Sequence, residues 1–315
     1  MTVSDIFEKA IQIGIKYDCR GENNIKNILD ERKIFFDKLS DEKKEYYNKA
    51  ELFNPFLDSA IHHDSGKEIK KIFVGIDTEI QEIIAADKKN ADLILGHHPE
   101  GRALVDLWRV MNIHQEELSL KGIPVNIAEK LVSERESKLE RNLHPVNFNR
   151  AVSAAKELDI SFLNLHTIAD NIANRYMENF LKNKTISTLQ DICDSVLEIP
   201  EYDISAKNGV TPILLFGNEL NRAGNIFVKF NGGTSGNEKI FKHLETFNIN
   251  TFICMHLPQN HIEEAEKYNI NVIVMPHMAS DSIGMNLLLD ELFLGIQNIE
   301  IINGSGFLRF CRNNI

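Results

Sequence analysis

The sequence predicts an α/β protein of two lobes, with mixed, mostly parallel sheets flanked by helices and a helical segment at the N-terminus. Three observations carry this expectation. From Lys71 onward, short β-branched and aliphatic runs alternate with amphipathic stretches. The order strand, turn, helix, strand ending in histidine occurs twice, once in each half. Residues 1–57 instead keep their apolar side chains at helical spacing. At roughly 150 residues per domain, 315 residues correspond to about two domains.

In the N-terminal segment, Ile6, Phe7, Ala10, Ile11, Ile13 and Gly14 form an apolar stripe. The charged run from Asp30 reads as a solvated helical hairpin broken near Ser40 and Asp41, where Ser40 is placed to cap a second helix. The first lobe is assigned to 58–205, with strands at 71–76, 92–96, 123–127 and 161–165 and helices at 78–89, 100–120, 146–157 and 171–183. The second lobe, 206–315, has strands at 212–217, 225–230, 251–255, 271–275 and 300–304, with helices at 237–247, 259–268 and 282–294. The boundary is placed by pattern in IPEYDISAKNG, 199–209, because no low-complexity linker separates the halves.

Composition narrows the function classes without naming one. The formal charge of −11, with no segment rich in Lys and Arg, argues against a general affinity for nucleic acid. No apolar run approaches the ~20 residues that cross a bilayer, and Asp5 and Glu8 stand where a signal peptide would be basic and then apolar. Four scattered cysteines, Cys19, Cys193, Cys254 and Cys311, suggest free thiols rather than a disulfide framework or a zinc ribbon. A cytoplasmic, non-membrane protein is the expectation.

Chemistry gathers at strand ends. DLILG-His97-His98, SFLNL-His166, TFICM-His256 and NVIVMP-His277 each end in histidine. The carboxyl ends of strands form the rim where ligands bind in open α/β sheets, so residues far apart in sequence can converge there. His166 and His277 each have an aspartate four residues on, Asp170 and Asp281, where a helix is expected to begin. Imidazoles and carboxylates at strand-to-helix turns are a ligand set for Zn²⁺, Fe²⁺ or Mn²⁺. A bridging carboxylate would let few side chains hold a dinuclear centre able to activate water. Taken singly, each Asp also reads as a helix N-cap and each His as a hydrogen-bonded surface or core group.

Further candidates are weaker. Asp77 reads as an acceptor that orients a metal-bound histidine. The GGTSG turn, 232–236, reads either as an anion cradle or as a tight turn needing positive φ. His256 and His261 line the same rim or cap helix 259–268, and His62 and His63 read as surface groups.

The segments GIDTEIQEIIAADKKNADLILGHHPEG, NFNRAVSAAKELDISFLNLHTIADN, IPEY, NGGTSG, TFICMH and VIVMPHMASDSIGMNLLLDEL resemble, in order, motifs of the NGG-interacting-factor-three-like family. That family is also described as dinuclear metal centre hexameric proteins, and some members carry a type 2 GTP cyclohydrolase I label. The resemblance runs from about Asp58 to SGFLRF near the C-terminus. It implies a metal site between two α/β lobes, two divalent ions held by His97, His98, Asp170, His277 and Asp281, and a homohexameric ring. Asp281 stands where many relatives have Glu, Pro276 where Gly is usual, and Asn231 where Thr commonly precedes the glycines.

Two functional readings follow. In the first, the protein is a metal-dependent hydrolase acting on a phosphoester or a nucleotide ring, with His166 as a proton shuttle or as a hydrogen-bonding partner of the ligands. In the second it is a non-catalytic metal-binding or regulatory scaffold. A third, structural reading makes the same residues caps and turns with no metal.

Overall fold

The computed structural model describes residues 1–233 and 235–312. Thr234, in the GGTSG turn, lies outside the described residues. Two sheets organise the chain. The first has the order β1-β4-β3-β2-β9, from β1 (Ala60–His63), β2 (Lys71–Gly75), β3 (Leu93–Gly96), β4 (Ser161–Asn164) and β9 (Glu300–Asn303). The second has the order β5-β8-β7-β6, from β5 (Ile213–Phe216), β6 (Ile226–Lys229), β7 (Thr251–Cys254) and β8 (Asn271–Val274). In each sheet the edge strand β1 or β5 is antiparallel and the remaining pairs are parallel.

The two halves repeat each other in detail. Strand order 1-4-3-2 in the first sheet matches 5-8-7-6 in the second. Even a register irregularity recurs, between Ile61 and His63 in β1 and between Leu214 and Phe216 in β5. The sequence shows the repeat only in its strand-turn-helix-strand order, because the matched positions share little beyond strand-end histidines.

The helices are α1 (Val3–Tyr17), α2 (Glu22–Asp37), α3 (Asp41–Tyr46), α4 (Ile80–Lys88), α5 (Gly101–Val105), α6 (Ile113–Leu120) and α7 (Val125–Leu143), followed by α8 (Arg150–Glu157) and α9 (Thr167–Lys182). After these come α10 (Leu189–Val196), α11 (Pro200–Lys207), α12 (Ile240–Thr246), α13 (Gln259–Lys267) and α14 (His277–Leu292). Helices α9 and α14 lie between the sheets. Ile168, Ala169, Ile172, Met285, Leu288 and Leu289 pack into the core of the first sheet, whereas Ala173, Met177, Ala279 and Ile283 pack into that of the second. This explains why α14 is buried on nearly every side, including Ser280, Asp281, Ser282 and Asn286. A helix with no solvent face belongs in an interior layer. The outer faces are covered by α4 and α8 on the first sheet and by α6, α7, α12 and α13 on the second.

Several sequence expectations change. IPVNI is not a strand: Pro124 caps α7, whose Ala128, Leu131, Val132 and Leu139 form one buried helical face. A short β-branched run cannot be told from a buried helix start by periodicity alone. The expected helix 100–120 is broken into α5, a 3-10 turn at Leu107–Val110 and α6. Strand β1 was not expected, because AIHH has no apolar alternation. The N-terminal stripe is confirmed but is no appendage: Val3, Ile6, Phe7, Ala10 and Ile11 are buried with α9 and α14 in the first core. Ser40 does precede α3, although its side chain makes no capping bond.

Candidate metal centre

The site forms where parallel strands stop. The β2–β3 ladder continues past the strand ends, with the N–H of His97 donating to Gly75 O at 3.0 Å and that of His98 to Ile76 O at 2.9 Å. Asn164, at the end of β4, then clamps the turn: its Nδ2 donates to His98 O at 2.6 Å and its Oδ1 accepts from the N–H of Glu100 at 3.0 Å. Adjacent residues thereby leave the sheet edge together, and their rings lie 5.2 Å apart.

Helices α9 and α14 bring in the carboxylates. They begin at Thr167 and His277, earlier than the sequence suggests, so Asp170 and Asp281 lie inside the helices and do not cap them. His166 precedes the first turn of α9, one helical turn from Asp170. His97 Nε2 is 3.3 Å from Asp170 Oδ1 and 3.5 Å from Asp281 Oδ1. The other Asp281 oxygen, Oδ2, is 3.4 Å from both His98 Nε2 and His277 Nε2. His166 Nε2 is 3.8 Å from Asp170 Oδ2. Three overlapping sets of ligand-type atoms, each within 4.8 Å, result: His97, His98 and His166; His98, His277 and Asp281; and His97, Asp170 and Asp281.

The opposite ring nitrogens of three histidines are held in place. His97 Nδ1 lies 3.3 Å from Leu165 O, His98 Nδ1 2.7 Å from Asp77 Oδ1, and His166 Nδ1 2.8 Å from Asp58 Oδ2. Such contacts fix ring orientation and aim Nε2 inward, as the outer hydrogen-bonding partners of a metal site do. Asp77 thus makes the contact its sequence position suggests. Asp58 was missed: it stands alone before an unrecognised strand, and only the fold brings it to His166 and to Thr167 Oγ1, which donates to it at 2.6 Å.

Electrostatics test whether these residues fit a cation. His97 Nε2, Asp170 Oδ1 and both oxygens of Asp281 are buried without a hydrogen-bond partner among the described residues. Buried charge left in this state is costly. Burial opposes charge on His97, yet Asp281 and Asp170 outweigh it and hold the imidazole well above its ordinary pKa. His98 shows the same balance: burial lowers it, while the Asp281 carboxylate beside it and the hydrogen bond to Asp77 raise it to about 9. Burial pushes the Asp281 carboxyl up, but His97, His98 and His277 overcome this and hold it well below the carboxylate range. Protons on imidazoles balance the carboxylates where a divalent cation could do so, and the oxygen and nitrogen donors match such an ion in type and placement.

A cavity of about 210 Å³ opens beside the cluster, bounded by His98, His166, Asp170 and His277 and by Lys229, His256 and Leu107 among others. His256 stacks on His277 with ring centroids 5.1 Å apart. His261 is elsewhere, its Nε2 3.4 Å from Gly236 O, so the structure does not bring it to the rim. The surface reading of His62 also fails, because its Nε2 sits 2.6 Å from Asn164 Oδ1 and its ring packs on Phe162. His63 is 3.3 Å from the exposed Asp159.

The GGTSG turn borders this cavity through Gly233 and Ser235. Gly232, at φ +78°, passes so close to His114 that a Cβ would meet the ring, which accounts for glycine there. Beneath it the buried Lys229 Nζ contacts His114 Nε2 at 2.9 Å, Asn231 Oδ1 at 3.0 Å and Glu117 Oε2 at 3.2 Å. This cluster was not apparent in the sequence, since Lys229 reads as a strand residue, His114 and Glu117 as parts of the helix expected at 100–120, and Asn231 as the residue before the glycines.

No helix is long and apolar enough to cross a membrane among the described residues. No protein-family model and no curated protein matches the sequence. Among solved structures, a NIF3 superfamily protein from Sphaerobacter thermophilus is similar with a TM-score of 0.71 and 24% identity, over 80% of this chain and 92% of that one. Reduced HcgD from Methanocaldococcus jannaschii has a TM-score of 0.47 and 16% identity, over 75% and 84% of the two chains. A Bacillus cereus protein related to NIF3 has a TM-score of 0.44 and 8% identity, over 76% and 87%. By the likeness to the Sphaerobacter protein, and by the mixed, mostly parallel sheets flanked by helices, the chain has the NIF3 fold.

Proposed function

We propose that this chain is a dinuclear metal-binding protein of the NGG-interacting-factor-three-like family and a metal-dependent hydrolase of phosphoesters. The observation that carries the reading is a shared carboxylate: Asp281 faces His97 and Asp170 through the set on one side and His98 and His277 on the other, with neither oxygen hydrogen-bonded. Two adjoining sets that share a carboxylate suit two divalent ions, Zn, Fe or Mn by ligand type.

His97, His98, His166, Asp170, His277 and Asp281 would hold them. In this reading His166 stands with the ligands because its Nε2 faces the cluster; with Nδ1 held by Asp58, the same Nε2 would serve as a proton shuttle if no ion takes it. Bound ions would supply Lewis acidity and an activated water. The chain itself contributes fixed imidazole orientation through Asp58, Asp77 and Leu165, and a cavity that admits substrate on one side of the cluster. The same family reading implies a homohexamer in the cytoplasm, which light scattering and cell fractionation would check.

Anomalous scattering at metal edges, with metal analysis of the purified chain, tests the assignment. Two ions on these residues are expected. A chain that takes up none of the three metals would overturn it. Hydrolysis of a phosphoester panel that disappears in Asp170→Ala supports the enzyme; metal uptake without turnover on any substrate favours the scaffold.

A further inference from the structure

The repeat pairs the strand ends of the two lobes. His97 and His98 follow β3, while Met255 and His256 follow β7; His166 and Asp170 follow β4, while His277 and Asp281 follow β8. The second lobe therefore presents Met255 where the first has its deepest histidine, and it retains a histidine in the place of His98. That residue does not join the ligand sets. His256 is instead exposed at the wall of the cavity, stacked on His277, and no hydrogen bond reaches its ring nitrogens among the described residues. Its backbone is tied to the glycine turn, with Ser235 Oγ donating to His256 O at 3.3 Å.

We infer that His256 is a substrate-contacting residue, whose ring N–H donates a hydrogen bond to a phosphoryl-bearing ligand seated in the cavity against the metal cluster. The inference rests on the dinuclear reading above. A neutral imidazole always carries one N–H donor, and here the stack on His277 orients it while the cavity leaves it open. Leu104, Leu107 and Phe230 on the same cavity wall would receive the apolar part of the ligand. Lys229 is already occupied by His114, Asn231 and Glu117, so His256 is the better placed donor.

The test uses the full chain loaded with Mn²⁺ and inorganic phosphate as the probe, followed by calorimetric titration. Metal content is measured in parallel for wild type, His256→Ala and His256→Gln. Expected is unchanged metal stoichiometry in both variants, phosphate binding weakened about tenfold or more in His256→Ala, and partial recovery in His256→Gln through its amide N–H. Equal phosphate affinity in wild type and His256→Ala overturns the inference, as does wild type that holds metal but binds no phosphate. Loss of metal in His256→Ala also overturns it, by making the residue a ligand. Failure of wild type to take up metal is a different result, which removes the dinuclear reading itself and the inference with it.

Discussion

Ala169 and Gly284 meet where α9 passes α14, so closely that a Cβ placed on Gly284 would lie 2.5 Å from the Ala169 carbonyl oxygen. Asp170 follows the first residue directly, and Asp281 lies three residues before the second. The contact therefore sets the spacing of the two carboxylates. Gly284→Ala should push the helices apart at a cost of about 1–3 kcal/mol, and it should weaken metal binding although the residue touches no ligand. Thermal unfolding and metal titration would show both effects. Unchanged stability would mean that the interior layer yields without strain.

Asp281 belongs to two ligand sets and Asp170 to one. Asp281→Asn should abolish binding of both ions, whereas Asp170→Asn should weaken mainly one. Metal analysis at graded free-metal concentrations distinguishes them. Identical losses in the two variants would count against a shared carboxylate.

Asp77 and Asp58 meet the clustered histidines at the outward nitrogens of His98 and His166, and Asp58 also accepts from Thr167 Oγ1. Asp77→Asn and Asp58→Asn should each lower metal affinity about 10–100-fold while leaving the ligand set intact. Competition with a chromophoric chelator measures this. Affinities equal to wild type would show that the rings are oriented by packing alone.

The imidazole of His98 has its folded-state pKa raised from 6.5 to about 9, and that of His97 is raised as well. A raised value means that the protonated form stabilises the metal-free fold. This contribution is fully present below pH 6.5 and is lost as pH rises through about 9. Metal-free protein should therefore lose stability across that window, and metal-loaded protein should not, because the ion replaces the proton. For the same reason metal uptake at neutral pH should release about two protons per chain, read by a pH indicator in weak buffer. A flat stability profile in the metal-free chain would falsify this assignment.

Much of the site was legible before any coordinates. His97, His98, His166, Asp170, His277 and Asp281 all converge, because the ends of parallel strands share one edge and a residue four positions on stays on the same helical face. The nearby His62 and His261 illustrate the opposite outcome. Neither follows the end of a parallel strand, since one lies within β1 and the other within α13, and one is taken by Asn164 while the other faces Gly236.

The sequence by itself determined the alternation of strands and helices, hence the α/β class, and the apolar stripe of α1. Those are local properties, written in periodicity. Only the tertiary structure decided that α1 joins the interior, that IPVNI opens a helix, and that the two sheets clasp α9 and α14 between them. It also decided the partners Asp58 and Lys229 and the depth at which Asp281 is buried. Burial and pairing arise from contacts between segments separated by up to hundreds of residues, whose free energy is collective and has no signature in any one stretch of chain.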